Sequence, residues 1–188
     1  DIAPGNCLID EWIRKNSKYN YDQDGLIARS GKVNELILNQ ALDNFSGENY
    51  KSFPPSSLDI KNFDISFAKG LSLEDGAATL TYLTAELISE GLTTFVTRNY
   101  PDGLDILKRS TILICGGGRK NKYLIKILKN KLHADKIDLI DEHGHDGDFI
   151  ESQAFAYLAI RSILNLPISY PNTTYCKKPC LGGELIES

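Results

Sequence analysis

Between Thr111 and Leu166 the chain alternates strand, glycine turn, helix, strand and helix, an order that few folds accommodate. Thr111 to Cys115 is a short apolar run of the kind buried in a parallel sheet. Gly116, Gly117 and Gly118 interrupt it. From Arg119 to Leu132, Leu124, Ile125, Ile127 and Leu128 recur on one helical face. Lys136 to Ile140 is a second strand, and Phe149 to Leu166 a second helix with Phe155, Leu158, Ala159 and Ile163 apolar. Strands joined through helices run parallel, so the expected class is α/β, with helices packed on a mainly parallel sheet.

Upstream the pattern is helical. Leu8, Ile9, Trp12 and Ile13 share a face of a helix that Asn6 can cap and that runs to Asn16. A polar connection, Ser17 to Gly31, has Tyr21-Asp22-Gln23-Asp24-Gly25 at its centre. Val33, Leu36, Ile37, Ala41 and Phe45 then recur at helical spacing. Residues 46–70, with Gly47, Pro54, Pro55 and Gly70, read as a long irregular stretch. Ser72 to Asp75 is a capping motif, and Ala77, Leu80, Leu83, Leu87 and Ile88 predict a helix ending at Gly91.

Several function classes fall away. With 188 residues the chain suits one domain, and a net charge of −4 gives no general attraction to nucleic acid or anionic lipid. Arg119, Lys120, Lys122, Lys126, Lys129 and Lys131 read as the wet face of a helix. No apolar run approaches the roughly 18 residues that span a bilayer. Asp1 and Asp10 precede any basic residue, unlike a signal peptide, so a cytoplasmic protein is expected. Cys7, Cys115, Cys176 and Cys180 make no disulfide or zinc framework with one another or with His133, His143 and His145, and no protein-held metal is expected. Asn44-Phe45-Ser46 and Asn172-Thr173-Thr174 match a glycosylation pattern that means little without secretion. No GxSxG elbow supports hydrolase chemistry.

Three places can carry chemistry. The glycine triplet lies between strand and helix, where backbone N–H groups and the helix dipole meet phosphates, although a tight turn favours glycine on its own account. Gly144-His145-Asp146-Gly147-Asp148 follows a strand end, where open α/β sheets place ligands, and its carboxylates suit Mg²⁺ through water or sugar hydroxyls. Asp148 with Glu151 also reads as a helix capping pair. Asp1 is either a general base or an exposed terminal charge. The tail from Pro171 to Glu184 reads as a wrapping segment.

In order, these pieces resemble the C-terminal part of the anhydro-N-acetylmuramic acid kinase family, in the actin, Hsp70 and sugar kinase (ribonuclease H-like) superfamily. Asp1-Ile2-Ala3-Pro4-Gly5-Asn6 resembles the family's Asp-Thr-Gly-Pro-Gly-Asn, and Leu8-Ile9-Asp10-Glu11-Trp12 its Leu-x-Asp-x-Trp. Tyr21 to Gly25, Pro54-Pro55-Ser56-Ser57 and Ala78 to Ala85 are similar to its Tyr-Asp-x-x-Gly, Pro-Pro-Lys-Ser and Ala-Thr-Leu-Thr-x-Leu-Thr-Ala. Cys115 to Gly118 with Asn121 looks like its Cys-Gly-Gly-Gly-x-x-Asn, and Gly144 to Asp148, Glu151 and Ala154 to Ala159 complete the series.

The resemblance implies a kinase that uses Mg-ATP to phosphorylate O6 of 1,6-anhydro-N-acetylmuramic acid while water opens the anhydro ring, for peptidoglycan recycling. Asp1 would activate the water; Gly116, Gly117, Gly118 and Asn121 would hold the nucleotide; Gly5, Asn6 and Glu151 would face the sugar. Ile2 and Ala3 depart from the family's Thr and Gly, and Ala at a left-handed glycine position would add strain. Residues 1–188 are expected to form a C-terminal lobe without the N-terminal lobe, its Ser-Gly-Thr-Ser loop, or the opening strands of their own lobe. Such a piece is expected to be inactive alone and to need a complementary N-terminal chain. The rival readings are an excised part of a complete active kinase and a residual ATP-binding or scaffold module without catalysis. A homodimer would suit its open edges.

Overall fold

The computed structural model describes residues 2–49, 63–132, 134–184 and 186, without the side chains of 46–49. Asp1, the stretch from Pro54 to Ser57 and His133 lie outside the described residues. Its spine is a 27-residue helix, α4 (Leu73–Asn99). Ser72 starts it, its hydroxyl accepting the Asp75 N–H at 3.0 Å. The helix runs through Gly91, where the sequence predicted its end. An interior glycine costs only about 1 kcal/mol relative to alanine, and Val96 beyond it is buried.

Three helices cover one side of this spine: α1 (Cys7–Asn16), α2 (Leu26–Ser30) and α3 (Glu35–Asn49). Leu8, Ile9, Trp12 and Ile13 of α1 pack with Ala28, Leu38 and Ala41 onto Leu80, Leu83 and Leu87 of α4. Burial of such a side chain stabilises by about 1.5–3 kcal/mol. Gly76 lets α1 approach closely, and the Trp12 indole donates to the Leu73 carbonyl at 2.9 Å. Short α5 (Gly103–Lys108) follows and packs back on α4.

The other side of α4 faces the α/β part. Strands β1 (Thr111–Ile114) and β2 (Lys136–Leu139) pair in parallel, Thr111 opposite Lys136 and Ile114 opposite Leu139. Helix α6 (Lys122–Lys131) crosses between them and inserts Leu124, Ile125, Ile127 and Leu128 against Ala85 and Ile137. Ile112 and Ile114 face this core, while the alternate residue Leu113 is exposed.

Helix α7 (Ile150–Ile163) departs from expectation, since none of its residues is buried. Phe155 and Ile163, expected to face inward, are 63% and 61% exposed. Among the described residues the sheet has two strands. A ribbon that narrow gives one helix layer, here α6, a face to cover and leaves no broad second face for α7. The tail folds on the end of α7: after α8 (Pro171–Thr174), Cys180 bridges Ser169, and Ser162 bonds the Gly182 carbonyl.

Candidate functional site

Strand β1 delivers the chain to Gly116, whose φ of +74° and ψ of −178° are open to glycine almost alone. Its N–H donates to the Gly147 carbonyl at 3.0 Å, tying the glycine turn to the loop after β2. A 3-10 turn follows over Gly117–Lys120. A Cβ built on Gly117 or Gly118 would meet nothing within 4 Å among the described residues, and neither residue has a positive φ. The fold therefore requires glycine at 116 only. At 117 and 118 the missing side chains leave backbone open to an approaching group, and the two amides have no acceptor among the described residues.

The helix dipole contributes less than its place in the sequence suggests. Helix α6 begins at Lys122, after the 3-10 turn, and the Asn121 side chain already caps it by accepting the Leu124 N–H at 3.0 Å. Exposed donors belong to the turn, not to the helix end.

Beside the turn lies a buried cation that the sequence reading placed on the wet helix face. Arg119 is 7% exposed. Its Nε and Nη2 grip Asp141 at 2.7 and 3.0 Å; Nη1 donates to Asp148 Oδ1 at 2.6 Å and to the Gly116 carbonyl at 3.0 Å. Asp146 lies 3.7 Å from Nη2, and Lys120 bonds the other Asp148 oxygen at 2.6 Å. Such charge-assisted bonds favour the ionised acids. The Arg119 guanidinium holds the Asp141 carboxyl down at about 2, and Arg119 and then Lys120 do the same for Asp148. Gly147 is required here, because a Cβ would fall 2.7 Å from Arg119 Cδ and Cζ.

This geometry corrects the capping assignment. Asp148 is committed to Arg119 and Lys120, Phe149 occupies the N-cap position of α7 without a side-chain bond, and Glu151 is exposed on the first turn. His145 and Asp146 are also exposed, whereas His143 meets the buried Asp138 carboxylate at 2.9 Å.

The amino-terminal segment converges on the same corner. Asn121 is 2% exposed, and its Nδ2 reaches Asn6 Oδ1 at 3.4 Å. Gly25, in the left-handed region at φ +71°, presses so close that a Cβ would lie 2.5 Å from Tyr123 Cβ and nearer still to Asn121 Oδ1. Asp22 shapes that turn, its carboxylate accepting the Ile27 and Ala28 N–H groups at 2.8 Å each. Thr84 of α4 donates to the Gly5 carbonyl at 3.4 Å. Gly5, Asn6, Asn121 and the glycine turn are thus neighbours, whereas Glu151 makes no hydrogen bond to them among the described residues. Ala3 packs against the helical core without a left-handed backbone, so the strain expected there is absent. Arg119 and Asp141 are the site residues the sequence reading missed. The available signal was an arginine directly after the glycine triplet, facing three aspartates downstream of the next strand.

Residues 1–187 match the sequence pattern of anhydro-N-acetylmuramic acid kinase. The chain belongs to the anhydro-N-acetylmuramic acid kinase family. It is 47% identical to the Pelagibacter ubique anhydro-N-acetylmuramic acid kinase over 189 residues, covering 100% of this chain and 48% of that protein. Kinases of the same name from Zymomonas mobilis and Rhodospirillum rubrum are each 37% identical, covering 98% and 97% of this chain but 47% and 45% of their own length. The chain spans about half the length of the curated relatives it matches. The family is sugar-kinase-like, and the α/β arrangement described here is compatible with part of such a kinase lobe. No described helix is long and apolar enough to cross a membrane.

Proposed function

We propose that this chain supplies the C-terminal half of a kinase that phosphorylates O6 of 1,6-anhydro-N-acetylmuramic acid from ATP, water opening the anhydro ring to give N-acetylmuramic acid 6-phosphate. The observation that carries the nucleotide side is the turn at Gly117 and Gly118, where the fold has no need of glycine and two amides have no acceptor among the described residues. Such a turn suits an anionic oxygen. Bound Mg-ATP would supply an electrophilic γ-phosphoryl whose charge the metal neutralises.

Each residue then has a definite task. The Gly117 and Gly118 amides hold the nucleotide. Asn121, itself buried and capped onto α6, keeps Asn6 and the turn at a common distance. Gly5 and Asn6 border the sugar, and Glu151 reaches it from the first turn of α7. Asp1 takes a proton from water as its oxygen bonds to the anomeric carbon. The carbon–O6 bond breaks, O6 accepts the γ-phosphoryl, and ADP leaves, so atoms and charge balance.

The chain would complete this cleft together with the remaining half of the relatives' length. The apolar face of α7, with Phe155 and Ile163 outermost, supports a partner surface of that kind. We place the reaction in the cytoplasm, where recycled wall sugars meet ATP. The deciding assay is ADP release from Mg-ATP with the anhydro sugar, using the chain alone and mixed with a chain carrying the complementary half. The expected result is nucleotide binding without turnover alone, and sugar-dependent turnover on mixing. Turnover by the chain alone would refute the half-enzyme reading; binding with no turnover in either case would leave a nucleotide-binding module.

A further inference from the structure

We propose that Arg119 is a positioning residue for the nucleotide: it locks the Gly116–Gly118 turn to the Asp141–Asp148 loop and neutralises that loop's carboxylates without touching the ligand. The assignment rests on the turn being the nucleotide-binding element. Arginine has five N–H donors in a fixed plane, and here four are hydrogen-bonded and the fifth faces a carboxylate. Nε–H goes to Asp141 Oδ2, one Nη2–H to Asp141 Oδ1, one Nη1–H to Asp148 Oδ1 and the other to the Gly116 carbonyl. The fifth faces Asp146 at 3.7 Å. With 7% of its surface exposed and its guanidinium surrounded by the three aspartates, Arg119 offers little surface to a phosphate.

The consequences for the turn are direct. Gly116 is held through both of its backbone polar groups: its carbonyl accepts from Arg119 and its N–H donates to the Gly147 carbonyl. Gly147 in turn packs close against the Arg119 side chain, and its own N–H donates to Asp141 Oδ1 at 3.4 Å. The position of the Gly117 and Gly118 amides therefore depends on one side chain they never bond. Charge matters equally. Asp141, Asp146 and Asp148 stand beside the turn proposed to take a polyanion, and among the described residues only Arg119 and Lys120 pair with them. Removing Arg119 would free the turn and present it with an uncompensated cluster of carboxylates.

The test is Mg-ATP binding by the chain, measured calorimetrically at low and high salt for the unaltered protein, Arg119→Lys and Arg119→Gln, with thermal unfolding in parallel. Arg119→Gln should weaken binding about tenfold or more, and added salt should recover part of the loss, because screening weakens the exposed repulsion. Arg119→Lys keeps the charge but not the fork, so it should fall between the two. Adding Asp148→Asn to Arg119→Gln should restore part of the affinity, although it removes a further polar partner. A purely structural arginine would lower stability without salt dependence or charge rescue, and that pattern would overturn the proposal. Unchanged binding in both single variants would also overturn it. If Arg119→Gln fails to fold, Arg119→Lys and its salt series decide the matter. Absence of Mg-ATP binding by the unaltered chain would refute the nucleotide reading of the turn, and this assignment with it.

Discussion

Gly76 in α4 offers a test in which local propensity and tertiary packing predict opposite signs. Replacing an interior helical glycine by alanine gains about 1 kcal/mol from backbone entropy alone. At this position, however, the new Cβ would stand 2.6 Å from Trp12 Nε1 and closer still to Cε2 and Cζ2 of the same ring. Trp12 is 4% exposed and its N–H is committed to the Leu73 carbonyl, so the ring cannot step aside without cost. Overpacking a tight contact costs about 1–3 kcal/mol, and losing the indole hydrogen bond about 1 kcal/mol more. The net expectation for Gly76→Ala is a loss of about 2 kcal/mol, which lowers a urea midpoint by roughly 1 M at a typical denaturant slope. Trp12 is the sole tryptophan, so its fluorescence reports both the local contact and unfolding. In a Trp12→Leu background, followed by circular dichroism, the same substitution should become neutral or stabilising, because the pair is coupled only through contact. A midpoint that rises in the presence of Trp12 would refute the packing argument. The consequence reaches the site, since α1 carries Gly5 and Asn6 at its entrance and Gly76 sets how it lies on α4.

Two further outcomes follow from the site itself. Gly116→Ala should destabilise by about 1–3 kcal/mol because it forces a side chain into a glycine-only backbone region. Gly117→Ala should change stability by less than about 0.5 kcal/mol yet weaken Mg-ATP binding; thermal melts and nucleotide titration of the two variants separate these effects. In acid, Asp141 and Asp148 have folded-state values near 2 against the ordinary 3.8, a depression that favours the folded state above pH ~4 and is lost as pH falls from about 4 towards 2. Burial raises Asp10, which acts in the opposite sense: its contribution is greatest at low pH and declines as the group ionises. Acid unfolding of Asp141→Asn with Asp148→Asn should therefore show a weaker fall over that interval than the unaltered chain, and an identical profile would argue against the Arg119 ion pairs.

What the sequence made legible, and what it hid, divides along a physical line. Period and punctuation are local, so α1, β1, α6 and β2 could be placed from the spacing of Leu8 to Ile13, Thr111 to Ile114 and Leu124 to Leu128, with ends displaced by at most three residues. Gly91 misled because a glycine stops a helix only when packing beyond it is weak, and Val96 continues the buried face. Arg119 misled for a stronger reason. Beside Lys120 and Lys122 it looks like one more solvated charge, and only the fold brings Asp141, Asp146 and Asp148 from beyond β2 to surround it. Asp148 was misplaced by the same contact, since its spacing to Glu151 satisfies a capping pattern that the arginine overrides. For the glycine triplet, the sequence left turn and ligand readings balanced. The backbone divides them within the motif: Gly116 belongs to the turn because of its φ, whereas Gly117 and Gly118 are free of that demand and carry the ligand reading. Asn121 is buried and braces α6 against Asn6. On the proposed function, the motif mixes residues that would bind with residues that hold the binders in place, and steric demand, residue by residue, tells them apart.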